Sequence, residues 1–137
     1  MTYALDTNIL SYILNGNAFL DERLIAVTKS GNKVIIPLIV YYEARRGLLS
    51  NNATKKMRLF EKLCAKLDIN DLTKSDINTA AIIYNKHKRA GMLIDDADIL
   101  IAAQCINNNY TLVTNNVKHF ISIERLTFVN WMEDIYN

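Results

Sequence analysis

The sequence predicts an α/β fold in which a mainly parallel central sheet is flanked by helices. Short apolar strand segments alternate with helical segments along the chain, as in proteins whose parallel strands are joined by helical crossovers. The 137 residues, of which 50% are hydrophobic, suffice for one domain, 1–137, with a substantial core. The stretch 92–108 contains an almost unbroken apolar helix, which we expect to be buried in the middle of that domain.

The first half of the chain alternates between strand and helix patterns that turn residues separate. Asn15-Gly16-Asn17 divides two helical segments, and Gly31 ends the second of them. Pro37 ends a strand, because proline cannot donate a hydrogen bond to a neighbouring strand. The predicted strands of this half lie at 3–6 and 34–36, and the predicted helices lie at 9–14, 18–30, 39–49 and 53–67.

The second half contains the central apolar helix and the rest of the sheet. Thr73 and Asp76 have the spacing of a capping box, which starts a helix that runs to Ala90 and stops at Gly91. The apolar residues at helical spacing that predict the inner face of this helix are Ile77, Ala80, Ala81 and Tyr84. The other predicted elements are strands at 68–70, 111–114 and 126–130 and a short helix at 117–120.

The net charge of +2 gives no global basic field of the kind that marks many nucleic-acid-binding proteins, but the basic residues are clustered. Arg45, Arg46 and Lys55 belong to one basic group, and 86–89 forms a second. A solvated helix face explains each group when it is taken alone. They become candidate RNA contacts if an acidic centre nearby must receive a polyanion.

The cysteines and histidines give no sign of zinc chemistry. Cys64 and Cys105 are far apart and form no C-x-x-C motif, which fits free buried thiols in a reducing compartment. His87 and His119 stand beside lysines on predicted surface helices, and we interpret both as ordinary surface residues. Because the chain shows neither a secretory leader pattern nor an apolar segment of membrane-spanning length, we expect a cytoplasmic protein without membrane association.

Three carboxylates, Asp95, Asp96 and Asp98, stand at the start of the central apolar helix. Asp95 can cap free backbone N–H groups, and Asp98 stands where the third helical residue of a capping box falls. The helix dipole also favours acids in a first turn, so an extended cap explains this cluster when it is taken alone. A catalytic role requires carboxylates from elsewhere in the chain to converge on the same place.

A parallel sheet provides such a convergence, since sites in open parallel sheets form beyond the carboxyl ends of the strands. Asp6 ends the first strand, Glu43 follows the second, and Asn116 follows the strand at 111–114. Asp98 begins the helix that leads into that last strand, so these four side chains can share one crevice. Each also has a local explanation, with Asp6 as a helix cap, Glu43 as an i,i+3 partner of Arg46, and Asn116 as a turn residue.

Carboxylate and amide oxygens are the ligands of a hard cation, which means Mg²⁺ or Mn²⁺ rather than zinc. Magnesium accepts one or two carboxylates together with phosphate oxygens of a substrate. A cation held by this acidic cluster would activate water and neutralise the charge that builds on a phosphodiester. The sequence therefore predicts metal-dependent phosphodiester chemistry at this edge of the sheet.

Four segments of the chain resemble the PIN-domain ribonucleases and, among them, the VapC-type toxins of bacterial type II toxin–antitoxin pairs. They are LDTNIL at 5–10, YYEARRGLL at 41–49, DADILIAA at 96–103 and TLVTNNVKHF at 111–120, in the family's order. The resemblance implies a PIN-like sandwich with metal-binding catalytic acids at Asp6, Glu43 and Asp98 and a further catalytic position at Asn116. It also implies RNA cleavage that depends on Mg²⁺ or Mn²⁺, growth arrest, a homodimer and a small antitoxin protein that blocks the site.

The chain departs from the family pattern at Asn116, where many members have a fourth acid. An amide carries no charge, which disfavours a second tightly held metal ion, although its carbonyl can still coordinate a cation or position water. Thr7 and Thr114 stand beside the acids and can either hydrogen-bond them or serve as turn residues. Asp95 and Asp96 fall in the more variable part of the motif, and we assign them no metal-binding role.

Three functions are compatible with acids clustered at strand ends. The first is a metal-dependent endoribonuclease toxin whose basic helices bind RNA. The second is a phospho-receiver signalling domain, which needs an acid pair after the first strand and an acceptor Asp at another strand end, where this chain has Thr7 and Pro37. The third is a non-catalytic RNA-binding domain with a degenerate site, which the retention of three acids disfavours.

Overall fold

The computed structural model describes residues 1–136 and has a five-stranded central sheet in which every neighbouring pair of strands is parallel. The spatial order is β3-β2-β1-β4-β5, so the first strand of the chain is the central strand of the sheet. The strands are β1 (Thr2–Leu5), β2 (Lys33–Pro37), β3 (Asp68–Asn70), β4 (Thr111–Val113) and β5 (Phe128–Val129). The predicted α/β architecture with a parallel sheet is confirmed.

Helices join the strands and cover both faces of the sheet. They are α1 (Thr7–Leu14), α2 (Ala18–Lys29), α3 (Leu38–Ser50), α4 (Thr54–Lys66), α5 (Lys74–Arg89), α6 (Asp96–Asn108) and α7 (Val117–Phe120), followed by a 3₁₀ helix at Trp131–Tyr136. Among the described residues, no helix is both long and apolar enough to cross a membrane.

The strands of the sheet send alternate side chains into two separate hydrophobic clusters. On β1, Ala4 belongs to one cluster and Leu5 to the other, and on β4 the same holds for Leu112 and Val113. This alternation follows from the two-residue repeat of a strand, which points neighbouring side chains to opposite faces. The sheet is therefore buried on both sides, as expected for parallel strands with helical crossovers.

The central helix α6 is buried along most of its length, as the sequence predicts. Its one buried polar side chain among the described residues is Gln104, which is 1% exposed. The Gln104 amide donates to the backbone oxygens of Asn70 and Asp71 at 2.8 and 3.2 Å and so ties α6 to the end of β3. The helix ends at Asn108 and is followed by its C-cap residue Asn109, whose left-handed backbone (φ 55°) is a conformation that asparagine tolerates better than most residues.

Helix α5 begins with the predicted capping box of Thr73 and Asp76, and of its four predicted inner-face residues Ala80 is buried while the other three are exposed. Ile77 and Tyr84 are each 48% exposed, and the buried side chains are Asp76, Ala80, Ile83 and His87. Asp76 can be buried because it accepts hydrogen bonds from the Thr73 N–H and from the side chain of Asn107 on α6, at 3.0 and 2.9 Å. The face that packs on α6 is therefore set by these polar contacts together with the apolar residues.

Candidate active site

Asp6 lies at the carboxyl end of the central strand, where it is 4% exposed. Its Oδ1 accepts the Thr7 N–H at 2.8 Å, which confirms the expected helix cap. Its Oδ2 accepts the Asn8 side-chain amide and the Thr114 hydroxyl, both at 2.7 Å. Thr114 lies 108 residues after Asp6 in the sequence. The buried Asp6 carboxylate therefore accepts from a distant residue as well as from the backbone N–H that a local helix cap uses.

Glu43 reaches the same region from the second turn of α3, where it is partly buried. Its Oε1 accepts the Thr7 hydroxyl at 2.8 Å. Thr7 therefore bonds both acids, through its N–H to Asp6 and through its hydroxyl to Glu43. Glu43 does not pair with Arg46, which was the local alternative. The Arg46 guanidinium instead lies over the Tyr42 ring, 5.0 Å from its centroid.

Asp98 stands in the first turn of α6 and is half-buried. Burial raises the pKa of the Asp98 carboxyl, and the negative charge of Asp6 raises it further, while His119 lowers it. The charge of Asp6 acts in this direction although the sequence separates the two carboxylates by most of the chain. Asp6 and Asp98 lie at the same edge of the sheet, since Asp6 bonds to Thr114 at the end of β4 and Asp98 bonds to His119 on α7, the helix that follows β4.

His119, which the sequence indicates only as a surface residue, contacts the candidate site. Its Nδ1 donates to Oδ2 of Asp98 at 3.0 Å. The sequence signal for this contact is the place of His119 on the short helix after β4, which starts at the same edge of the sheet as the acids. His87 also differs from expectation, since it is buried and bonded to the Ile83 carbonyl and to Ser122, at 2.9 and 3.2 Å.

Asn116 enters the network through its main chain. Its N–H donates at 3.0 Å to the Thr114 hydroxyl, which in turn donates to Asp6, while the Asn116 residue as a whole is exposed. Its neighbour Asn115 has a structural role, because its N–H donates at 2.8 Å to the side chain of Asn8. Thr114 and Asn8 are thus the residues that connect the loop after β4 to the Asp6 carboxylate.

The two remaining acids of the α6 start take no part in these contacts. Asp95 is the N-cap residue, but its side chain makes no hydrogen bond to the backbone of the first turn, so the predicted side-chain cap is wrong. Asp95 and Asp96 are both exposed. Of the three carboxylates, Asp98 alone is partly buried and bonded to a residue of another element.

The basic residues proposed from the sequence lie on α3 and α4. Arg45 has one guanidinium nitrogen 3.8 Å from a carboxylate oxygen of Glu61, so part of its charge is offset within the protein. Arg46 and Lys55 are exposed, Arg46 on the helix that carries Glu43 and Lys55 in the first turn of α4. The structure thus places Arg46 on the helix of a candidate catalytic acid.

The carboxylate and amide oxygens of this region are the type of ligand that a hard cation such as Mg²⁺ prefers. Within the described part of the chain, no three His, Cys, Asp or Glu side chains lie close enough to hold a metal ion together. Magnesium takes one or two carboxylates and keeps several waters, so it does not need a closed cage of three acids, and Asp6 and Asp98 are the carboxylates at this edge that could serve. Glu43 joins this pair through Thr7 rather than as a third carboxylate of a closed cage.

Comparison with known proteins identifies the family. The sequence profile of the PIN domain matches residues 3–126. Ribonuclease VapC2 of Rickettsia felis is 31% identical over 134 residues, which cover 96% of this chain and 98% of that protein. Ribonuclease VapC1 of Haemophilus influenzae strain R2866 is 25% identical and covers 97% of this chain and 98% of its own length.

Solved structures agree with the sequence matches. The fold is similar to a chain in the crystal structure of VapBC2 from Rickettsia felis bound to a promoter DNA fragment, with a TM-score of 0.89, 29% identity and coverage of 96% and 99% of the two chains. The structure of VapBC-1 from nontypeable Haemophilus influenzae gives a TM-score of 0.82 and 26% identity with the same coverage. The chain therefore belongs to the PIN-domain family and, within it, to the group of VapC ribonucleases.

Proposed function

We propose that the protein is a metal-dependent endoribonuclease that acts as the toxin of a type II toxin–antitoxin pair and hydrolyses phosphodiester bonds of structured RNA, such as tRNA or rRNA. The observation that carries the proposal is the Asp6 carboxylate, which is buried at the end of the central strand and held by the Thr7 N–H and the side chains of Asn8 and Thr114, with Asp98 half-buried at the same edge of the sheet. A buried acid kept beside a second acid costs folding free energy, and such costs concentrate at functional sites. The relatives named ribonucleases support the same activity.

In this proposal Asp6 and Asp98 would hold Mg²⁺ or Mn²⁺ directly, Glu43 would hold it through one of the waters that the cation keeps, and Asn116 would assist from the loop after β4. The cation, when bound, supplies an activated water and stabilises negative charge on the phosphodiester. Thr7, Asn8 and Thr114 fix the orientation of the Asp6 carboxylate through their three hydrogen bonds. Fixed carboxylates matter because a ligand that must reorient adds its own free-energy cost to binding.

We also propose a cytoplasmic protein that forms a homodimer and binds an antitoxin protein that blocks the acidic site. Structures of VapBC complexes with similar chains support the antitoxin partner. Exposed apolar side chains on α5, among them Ile77 and Ile82, are compatible with a surface between two copies. The family match argues against the phospho-receiver alternative, and the buried Asp6 carboxylate with its three hydrogen bonds argues against a degenerate site.

Mapping of RNA 5′ ends in cells tests this function. Expression of this chain should create new 5′ ends at a few defined positions, whereas an Asp6→Asn variant expressed to the same level should create none. Asn at position 6 keeps an oxygen that can accept from Thr7 and removes the charge. New ends of equal abundance with both proteins would contradict an activity centred on Asp6.

Charge reversal at Arg46 or Lys55 should weaken RNA binding and reduce its salt dependence. Each lost phosphate contact lowers the slope of log affinity against log salt by about 1, because fewer counterions are released on binding. Fluorescence anisotropy with a labelled RNA hairpin over a salt titration measures both effects. Lys74→Glu, an equal charge change at the exposed start of α5, is the matched control. If wild type and the variants at positions 46, 55 and 74 all give the same slope, Arg46 and Lys55 are solvated surface charges that do not contact RNA.

Removal of the His119 imidazole should weaken cation binding and RNA cleavage. Residues that orient metal ligands are worth roughly 10- to 100-fold in metal affinity or activity. His119→Ala should therefore lower Mn²⁺ affinity by that factor in calorimetry, while His119→Asn, which keeps an N–H donor, should lose less. Lys118→Ala on the same helix is the control, and an alanine variant that binds Mn²⁺ like wild type would show that the contact with Asp98 is incidental.

A further inference from the structure

A cavity of about 300 Å³ lies between α1, α3 and the turn that leads into α4. It opens directly beside the acidic site, because Thr7 and Glu43 line it. Leu14 and Leu48 contribute apolar surface to its wall, and Lys56 from α4 lines it with a positive charge. The cavity thus extends from the acidic site toward the start of α4.

Gly47 lines this cavity from the middle of α3, and neither its backbone nor its packing explains a glycine there. The glycines of this chain with positive φ are Gly16, Gly31 and Gly91, and Gly47 is not among them. A Cβ added to Gly47 would meet no atom within 4 Å, so no neighbour excludes a side chain. Glycine inside a helix lowers helix stability relative to alanine. At position 47 the absence of a side chain leaves open space in the cavity, which is the effect that can offset this loss of stability.

The lining also indicates which kind of group fills that space. Asn15 and Asn51 line the cavity together with Leu14 and Leu48, so its lining combines residues that can donate and accept with an apolar wall. A nucleobase combines a flat apolar face with donors and acceptors on its edge, which such a lining can match. Lys56 can pair with a phosphate attached to that nucleoside.

We propose that this cavity binds one nucleotide of the RNA strand next to the phosphodiester held at the acidic site, with the base against the Leu14 and Leu48 wall and its phosphate at Lys56. The inference rests on the proposed ribonuclease function, because the shared residues Thr7 and Glu43 join the cavity to the acids. In this arrangement Gly47 leaves room for the base. The cavity thereby selects the position of the strand relative to the cleavage site.

The test compares Gly47→Leu, which fills the cavity, with Ser50→Leu, which adds the same side chain at an exposed position of α3 outside it. Leucine is a better helix former than glycine, so Gly47→Leu should melt at or above the temperature of wild type and its defects will not reflect unfolding. Binding of the probes 5′-AMP, 5′-GMP, 5′-CMP and 5′-UMP is followed by backbone amide shifts in NMR spectra, in EDTA. Cleavage of an RNA hairpin is measured separately with Mn²⁺.

We expect at least one mononucleotide to shift the amides of Gly47, Leu48 and Asn51 in wild type and in Ser50→Leu, and none to shift them in Gly47→Leu. The KM for hairpin cleavage should rise roughly tenfold in Gly47→Leu, which corresponds to about 1.4 kcal/mol of lost binding, while Gly47→Ala should lie between that variant and wild type. Mn²⁺ affinity should stay unchanged in all of them.

The outcomes separate the two proposals. A wild-type protein that cuts RNA while no mononucleotide shifts these amides, and whose Gly47→Leu variant keeps its KM, overturns the nucleotide site and leaves the ribonuclease function standing. A Gly47→Leu variant that cuts RNA normally but escapes inhibition by the co-purified antitoxin also overturns it and assigns the cavity to the antitoxin. Mononucleotide binding in a protein that cuts no RNA supports the site and contradicts the proposed function.

Discussion

RNA cleavage by the purified protein should fall by about 1,000-fold or more when EDTA removes divalent cations, and it should return when Mg²⁺ or Mn²⁺ is restored. A cation that activates water and stabilises transition-state charge contributes several kcal/mol, and about 4 kcal/mol corresponds to this factor. A side-chain base in the site could still accept a proton from water, but it could not replace the positive charge that stabilises the phosphodiester in the transition state. A cleavage assay on a labelled tRNA or hairpin with a metal titration measures the effect.

The control for contaminating nuclease is an Asp6→Asn variant purified in the same way. This variant should show no cleavage at any metal concentration, because it removes the most buried carboxylate of the site. Cleavage by wild type that persists undiminished in EDTA, above the level of the Asp6→Asn preparation, would contradict a metal-dependent mechanism.

The parallel sheet and the acidic edge could be predicted from the sequence because both follow from local patterns and one topological rule. The buried strand that ends at Asp6 and the apolar strand that precedes Asn116 are short segments with clear boundaries. Once both strands lie parallel in one sheet, their carboxyl ends must share an edge. This shared edge, rather than any single motif, explains why Asp6 and Thr114 are in hydrogen-bond contact.

The inner face of α5 could not be predicted in the same way. Apolar residues at helical spacing favoured Ile77 and Tyr84, yet the helix buries Asp76 and His87. A polar side chain is buried at little cost when each of its groups has a partner, and the partners of these two residues come from α6 and from the loop after α7. Periodicity carries no information about such distant partners.

The same limit explains the two errors at the active-site edge. Asp95 has the right residue type and position for a cap, but an N-cap side chain must also turn toward the first helical N–H groups, and here it does not. His119 has an ordinary surface setting in the sequence, and only the packing of α7 against the start of α6 brings it to Asp98. Side-chain direction at a helix end is set by neighbouring elements.

In EDTA, the Asp98→Asn variant should melt at the wild-type temperature or above it. Its rate of RNA cleavage should be lower than that of wild type by more than about 100-fold. Burial and the charges of Asp6 and Asp95 disfavour the ionised Asp98 carboxyl, and a neutral amide removes these unfavourable interactions. Asn retains an oxygen that can accept from His119, so that contact survives. The loss of cleavage should exceed the effect of a merely orienting residue, because a metal-binding carboxylate is itself removed.

Thermal melts with and without Mn²⁺, paired with cleavage assays, decide between a metal ligand and a helix start. Wild type should gain more stability from Mn²⁺ than Asp98→Asn does, since a ligand stabilises only the state that binds it. Because the pKa of Asp98 is raised in the folded state, the ionised carboxyl costs stability above that pKa, and the advantage of Asn should disappear as the pH falls and Asp98 becomes protonated. Asp95→Asn removes one charge from the same turn and should keep most of the cleavage activity. An Asp98→Asn protein that melts below wild type in EDTA yet still cuts RNA would show that Asp98 serves the helix and not the chemistry.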